Sequence, residues 1–322
     1  MTPNGLGEFG RIGRFFAPLA GPGGLGLTDD AALIGCEPGR KLVVTVDAMV
    51  AGVHFLPDDP PDLVARKLLR TNLSDLAAMG AHPFHYLLAS ALPASLDDAW
   101  VARFAAGLAE DQRIFGVALL GGDSVSTSGP ATLALTAIGD VAEGAEIRRS
   151  GAQPGDAVWV SGTIGDAGLG LAVLKGDYAD LAKTHRAALT RRFQLPEPRT
   201  ALGPSLAGLA HAMLDVSDGL VADLGHICEA SGVSATVRAP DLPLSPAAKA
   251  AGADPAQAAV AGDDYELLFT APPHAEAAIR RAASEAGVAV TAIGAVAAGE
   301  GARLLDARGQ PIPLERPGYR HF

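Results

Sequence analysis

At 322 residues with 48% hydrophobic side chains, the chain can bury one large core or two ordinary ones, and two domains are expected. A net charge of -11 argues against nonspecific binding to nucleic acid or to an anionic membrane, both of which need basic surface. Two distant cysteines, Cys36 and Cys228, no stretch of transmembrane length and no signal-peptide organisation in Met1 to Ala20 suggest a cytoplasmic protein without a disulfide framework, a zinc site or a membrane partner.

The β-branched run Lys41 to Val46 reads as a buried strand ending on Asp47, and Leu63 to Met79 carries apolar residues at helical spacing until Gly80 stops it, with Asp75 near the helix end. His85 to Leu92 reads as a strand. Ser95, with Asp98 three residues on, begins a helix through Phe115 in the manner of a capping box. Strands follow at Val117 to Leu120 and Thr132 to Ile138, with Gly121-Gly122-Asp123-Ser124 as the turn between them. The polar segment Arg148 to Asp156 precedes a strand at Ala157 to Ser161, so the domain boundary is expected between residues 148 and 149. Further strands are expected at Met213 to Val216, Ala235 to Arg238, Tyr265 to Thr270 and Val288 to Ile293, helices at Leu220 to Ala230 and His274 to Ala286, and loops at Pro196 to Pro198 and Pro240 to Pro246. Mixed strands and helices without a regular βαβ rhythm predict two α+β domains, 1–148 and 149–322.

Short strings joining aspartates to small hydroxyl or glycine residues recur along the chain: Thr28-Asp29-Asp30, Thr45-Val46-Asp47, Asn72-Leu73-Ser74-Asp75, Gly121-Gly122-Asp123 and Asp215-Val216-Ser217-Asp218-Gly219. Singly, each aspartate reads best as a cap or turn residue bonding its own backbone. As a set they suit hard divalent cations, because converging carboxylates repel one another unless a cation sits between them. A phosphate-loop lysine motif, a kinase-type His-Arg-Asp string and a strand-borne dinucleotide fingerprint are all missing from the sequence. Gly21 to Gly26 could let backbone N–H groups approach phosphate, or could be a loop without a ligand.

Together with Thr45 to Phe55, Asn72 to Ala81, Arg149 to Ala152 and Gly262-Asp263-Asp264-Tyr265-Glu266-Leu267, these strings resemble, in order and over nearly the whole chain, the thiamine-monophosphate kinases of the aminoimidazole ribonucleotide synthetase-like superfamily. The resemblance implies a two-domain α+β fold whose N-terminal domain dimerises through its sheet, with ATP in a cleft between the subunits of a homodimer. It implies Mg²⁺-assisted transfer of the γ-phosphoryl group of ATP to thiamine monophosphate, giving thiamine diphosphate. Carried over by position, Asp30, Thr45, Asp47, Asp75, Asp123, Asp215 and Asp218 match Mg²⁺ ligands, and Asp47, Asp75, Asp123 and Asp218 are the catalytic set. Gly122, Asp123, Arg149 and Ser217 match ATP contacts, and His54, Asp263 and Arg316 fall at substrate-contact positions.

Three positions depart from the family pattern. Val46 stands where a second threonine is usual, Asp263 where glutamate is usual, and Arg316 where an aromatic residue contacts the substrate, with Tyr319 nearby as a possible stacking partner. The competing readings are another ATP-dependent enzyme of the superfamily and a non-catalytic ATP- and metal-binding regulator. The selenophosphate synthetase reading would call for a reactive cysteine or selenocysteine and a lysine in Met1 to Ala20, and the hydrogenase maturation factor for a C-terminal cysteine; neither is in the sequence.

Overall fold

The structure, a computed structural model, describes residues 6–28 and 31–319. Two units divide the chain, Met1–Leu76 with Ala81–Glu143, and Ala77–Gly80 with Gly144–Phe322.

In the first unit, β1 (Arg40–Val50), β2 (His82–Pro93), β3 (Ala118–Thr127) and β4 (Thr132–Ala142) form a sheet in the order β1-β4-β2-β3. Pairing is antiparallel except between β2 and β3. One face supplies Met49, Leu88, Leu133 and Leu135 to a core shared with Leu68 and Leu73 of helix Pro61–Ala78 and Phe104 and Leu108 of helix Asp98–Phe115. Because side chains alternate along a strand, the other row of β1 faces away from this core: Leu42, Val44 and Val46 are 40%, 58% and 63% exposed.

Three departures from the sequence expectations follow, two explained by the strand ladder and one by a helix cap. The first strand runs through Asp47 to Val50, since its pairing with β4 continues as far as Val50 opposite Thr132. Gly121-Gly122-Asp123-Ser124 lies inside β3 rather than in a turn, with Gly121 opposite Leu87 and Ser124 opposite Ser90 on the parallel neighbour. Strand pairing here overrides the turn preference of the Gly-Gly-Asp sequence. The helix expected from Ser95 is capped instead by Asp97, whose carboxylate accepts the Trp100 N–H at 2.9 Å. It ends at left-handed Gly116, just as left-handed Gly80 follows helix Pro61–Ala78.

In the second unit, β5 (Ala157–Ser161), β6 (Ala212–Asp215), β7 (Ser234–Arg238), β8 (Leu267–Ala271), β9 (Val290–Ala297) and β10 (Gly301–Leu305) form a sheet in the order β10-β7-β9-β5-β8-β6. Both faces are covered. Val158, Val160, Leu214 and Leu268 pack with Leu220, Leu224 and Ile227 of helix Leu220–Ser231, while Trp159, Met213 and Phe269 pack with Ile279 of helix Glu276–Glu285. Trp159 and Phe269 stack with ring centroids 6.3 Å apart.

The strand expected from Tyr265 begins at Leu267, because the segment before it binds a loop rather than a strand. Helices Asp166–Leu174 and Lys183–Gln194 have no counterpart in the sequence expectations: the first is apolar around most of its circumference and the second largely polar, so neither shows a clear amphipathic stripe. The expected loop Pro240 to Pro246 overlaps the end of the short turn Ala239–Asp241 and runs into helix Pro246–Ala250, whose N-cap Ser245 accepts the Ala248 N–H at 3.0 Å.

Candidate active site

In the first unit, residues 72 and 75 are three apart on helix Pro61–Ala78 and so share the side that meets β1. Asn72, fully buried, accepts the Asp47 N–H through Oδ1 at 3.0 Å and donates Nδ2–H to the Leu68 carbonyl at 2.9 Å. The Thr45 hydroxyl donates to Asp75 Oδ2 at 2.6 Å. Thr45 and Asp47 alternate with Val46, which explains why the valine tolerates the position: its side chain lies on the exposed apolar row, away from this cluster. Burial, and then the negative charge of Asp75, push the Asp47 carboxyl up to about 6, with the Thr71 hydroxyl pulling the other way. Two carboxylates and a hydroxyl form an all-oxygen set, and a cation would relieve the repulsion between the two acids. Mg²⁺ is commonly held by one or two carboxylates plus water and phosphate oxygens, so these residues fit it. Among the described residues no three His, Cys, Asp or Glu side chains are grouped as a metal site by themselves.

His54 follows β1 in a turn, and its Nδ1 accepts the Val50 N–H at 3.0 Å. That bond puts the proton of the neutral ring on Nε2. The Lys67 ammonium, buried beneath, donates to the His54 carbonyl at 3.1 Å and fixes the turn from below.

Gly122 and Asp123 sit on edge strand β3. A side chain at Gly122 would overlap the Leu88 carbonyl of β2, so only glycine lets the two strands approach there. Asp123, exposed, is opposite Ala89, on the sheet face away from Thr45 and Asp47. Beside this edge lies a cavity of about 370 Å³ walled by Phe16, Leu27, Leu87 and Leu120, with Gly122 and Asp123 at its border. The Gly21 to Gly26 segment is neither an open loop nor a free strand: it forms the tight turn Pro22–Leu27, and Gly24 lies buried against the Leu120 carbonyl and lines the cavity. A mostly apolar lining with a few polar groups, Ser90, Asp123 and Ser124 among them, has the character of a small-molecule cavity. Asp30 lies outside the described residues.

In the second unit, Asp215 ends β6 and is buried, and residues 216–219 lead into helix Leu220–Ser231. Gly219 has φ 132° and backs onto Val260 closely enough that any side chain would collide with the Val260 backbone. The segment is laced from two directions. Asp263 and Tyr265 donate their N–H groups to the Ser217 and Val216 carbonyls at 2.8 Å each, and Val216 donates to the Glu266 carbonyl at 2.8 Å. From near the C-terminus, the Tyr319 N–H reaches the Asp218 carbonyl at 2.8 Å. Asp263 (φ 68°) and Tyr265 (φ 52°) are both left-handed, a costly conformation for residues with side chains that is held here by these bonds. Tyr265 also donates its hydroxyl to Asp263 Oδ1 at 3.3 Å.

The structure thus brings Ser217, Asp218 and Asp263 together at one loop cluster, with Asp215 at its root. Arg316 and Arg149 are exposed, and the Arg149 carbonyl accepts the Ser231 hydroxyl at 3.3 Å. Two residues of the Asp263-Asp264-Tyr265-Glu266 string serve the scaffold instead. Asp264, buried, accepts the N–H groups of Gly165 at 2.6 Å and Ala167 at 3.2 Å, and burial pushes its carboxyl up to about 8. Glu266, also buried, joins Ser161, Arg192 and Arg199. Sequence reasoning missed Asn72 and Asp223. For Asn72 the signal was available in its three-residue spacing from Asp75. Asp223 offered less: its carboxylate gathers the N–H groups of Ser217, Asp218 and Gly219 at 3.0–3.1 Å, and burial pushes it up to about 7.

The sheets, the buried asparagine clamp and the aspartate-bearing loops describe a class: residues 28–141 match the N-terminal domain of AIR synthase related proteins, and residues 153–306 match the C-terminal domain. The thiamine-monophosphate kinase of Caulobacter vibrioides is 46% identical over 98% of this chain and 90% of its own length. The crystal structure of thiamine-monophosphate kinase from Stenotrophomonas maltophilia superposes with a TM-score of 0.82 at 39% identity, covering 89% of this chain and 91% of that one. A structure of AaThiL complexed with AMPPCP and TMP gives a TM-score of 0.76 at 31% identity over 98% of this chain and 97% of that one. The chain belongs to the thiamine-monophosphate kinase family.

Proposed function

We propose that this protein phosphorylates thiamine monophosphate to thiamine diphosphate, with ATP as phosphoryl donor and Mg²⁺ as cofactor. The observation that carries the reading is the Thr45–Asp75–Asp47 oxygen cluster, built by a buried asparagine clamp in a chain of this family. Donor and acceptor are both anionic, so in-line transfer depends on positioning and charge neutralisation more than on proton abstraction. Bound Mg²⁺ would supply that neutralisation.

The chain's own residues divide the remaining work. Thr45, Asp47 and Asp75 hold metal in the first unit and Asp215 and Asp218 in the second, while Asp30 and Asp123 are further ligands, Asp123 from the sheet face away from Thr45 and Asp47. Gly122 lets the nucleotide lie close to the β3 backbone, where the apolar cavity takes its base. Arg149 and Ser217 meet phosphate oxygens, Arg149 as a planar fork. His54 donates its Nε2–H to the substrate phosphate, a role its Nδ1 bond to Val50 prepares. Asp263 contacts the thiamine moiety, and Arg316 or Tyr319 stands in for the usual aromatic residue; Tyr319 is 53% exposed. No side chain is needed as general base, because a phosphate oxygen is already nucleophilic.

The domains proposed are an ATP- and metal-binding and dimerisation domain over 1–148 and a C-terminal α+β domain over 149–322. A homodimer formed through the first sheet would cover the exposed row Leu42, Val44 and Val46, which is otherwise an apolar face in water. A cytoplasmic location fits a reaction that consumes ATP.

The direct test incubates purified protein with ATP, Mg²⁺ and either thiamine monophosphate or free thiamine. Thiamine diphosphate should form from the monophosphate, and no monophosphate from thiamine. Efficient phosphorylation of thiamine would show that the acceptor has been misread, and inactivity on both would point to a different acceptor.

A further inference from the structure

The segment Val216-Ser217-Asp218-Gly219 makes a sharp exit from β6 into a helix whose N-cap, Gly219, has no side chain to bond the first turn. Three successive N–H groups, of Ser217, Asp218 and Gly219, instead converge on a single oxygen, Oδ2 of Asp223, at 3.0, 3.1 and 3.1 Å. Asp223 is in the first turn of the helix and only 4% exposed. With those amides turned inward onto the carboxylate, the Ser217 and Asp218 side chains remain half-buried at the surface. The carbonyls of the same residues are held from elsewhere, Ser217 by the Asp263 N–H and Asp218 by the Tyr319 N–H. The loop is therefore gripped by its N–H groups on one side and its carbonyls on the other, and the Asp223 carboxylate supplies the first grip.

We infer that Asp223 is a positioning residue for phosphoryl transfer: through three backbone bonds it fixes the loop that presents Asp218 and Ser217 to metal and nucleotide, without touching either ligand itself. This rests on the kinase reading above for what the loop presents, but not for how the loop is held. One carboxylate oxygen accepting three peptide N–H groups is a preformed anchor, and an unanchored loop would have to order itself each time metal bound.

The test compares wild type with Asp223→Ala and Asp223→Asn, using hydrogen exchange over residues 215–223 and the Mg²⁺ concentration for half-maximal thiamine diphosphate formation. Asp223→Ala should lose amide protection at 217–219 and raise the Mg²⁺ midpoint at least tenfold while the rate at saturating Mg²⁺ falls much less. Asp223→Asn, which retains an acceptor oxygen, should recover most of both; if the alanine variant does not fold, Asp223→Ser replaces it with the same expectations. A lost loop protection with an unchanged Mg²⁺ midpoint, or unchanged protection in the alanine variant, overturns the inference. Wild type that makes no thiamine diphosphate would instead refute the kinase reading, and the exchange measurement would still decide whether Asp223 holds the loop.

Discussion

Glu266 stands three residues after Asp263, a position matched to substrate contact, yet the structure makes it a buried counter-ion. Its side chain is fully buried and accepts the Ser161 hydroxyl at 2.5 Å, Arg192 Nη2–H at 2.8 Å and Arg199 Nε–H at 2.7 Å, with a further bond from Arg199 Nη2. Both arginines are themselves mostly buried, 15% and 13% exposed at the side chain. Glu266→Gln keeps the shape but removes the negative charge these three partners share, leaving Arg199 with Glu197 at 3.6 Å, and its amide N–H₂ must face donors. Breaking a buried pair costs about 3–5 kcal/mol, and the retained carbonyl places this change near the lower end, about 3 kcal/mol. For a unit of this size each kcal/mol is worth roughly 2–4 °C, so the melting midpoint should fall by about 6–12 °C. Thermal unfolding checks the stability, and kcat/KM per folded molecule, measured well below the new midpoint, should stay within about threefold of wild type. A melting midpoint within about 2 °C of wild type, or a variant that is equally stable but inactive, would refute the assignment of Glu266 to the scaffold.

Asp264 gives a pH prediction. Its folded carboxyl lies at about 8 against 3.8 for the free group, so between those values the folded chain binds the extra proton and stability falls as pH rises, by up to about 1.4 kcal/mol per unit, levelling above pH 8. Unfolding free energies of wild type minus Asp264→Asn between pH 5 and 8 should show that slope; parallel profiles would refute it. Asp47→Asn should abolish turnover with little change in melting temperature, because Asn72 grips the Asp47 N–H rather than its carboxylate; near wild-type activity at saturating Mg²⁺ would exclude Asp47 as an important ligand. Gly122→Ala should cost about 1–3 kcal/mol by forcing β3 off the Leu88 carbonyl, and calorimetry with a non-hydrolysable ATP analogue should show weakened binding. Unchanged stability and affinity would mean that the two strands can separate freely.

The two α+β domains were legible because the apolar runs of β2, β4 and β5 and the periodicity of Pro61–Ala78 agree with their final environments. Where pairing partners decide the outcome, local sequence misleads. Gly121-Gly122-Asp123 has turn composition, but β2 lies alongside and pairs with it, so the glycines serve close strand approach instead of reversal. Helix starts have the same weakness: Ser95 and Asp97 are both good cap residues, and the cap bond to the Trp100 N–H is made by Asp97.

The Asp263-Asp264-Tyr265-Glu266 string shows why a recognisable motif does not by itself assign residues to chemistry. In a regular strand, alternate side chains would share a face, and Asp264 and Glu266 would be grouped against Asp263 and Tyr265. That grouping does hold for burial, since Asp264 and Glu266 are sealed inside while Asp263 and Tyr265 are only partly covered. It arises differently, however. Left-handed backbone at residues 263 and 265 turns their N–H groups onto the Ser217 and Val216 carbonyls, and the intervening carboxylate is left to meet the amides at 165 and 167. The half-exposed pair therefore faces the loop that carries Asp218, and the buried pair fixes the ground on which that loop stands. The two duties sit side by side in one short string; only the positive backbone angles and the mostly buried arginines, which no periodicity encodes, separate them.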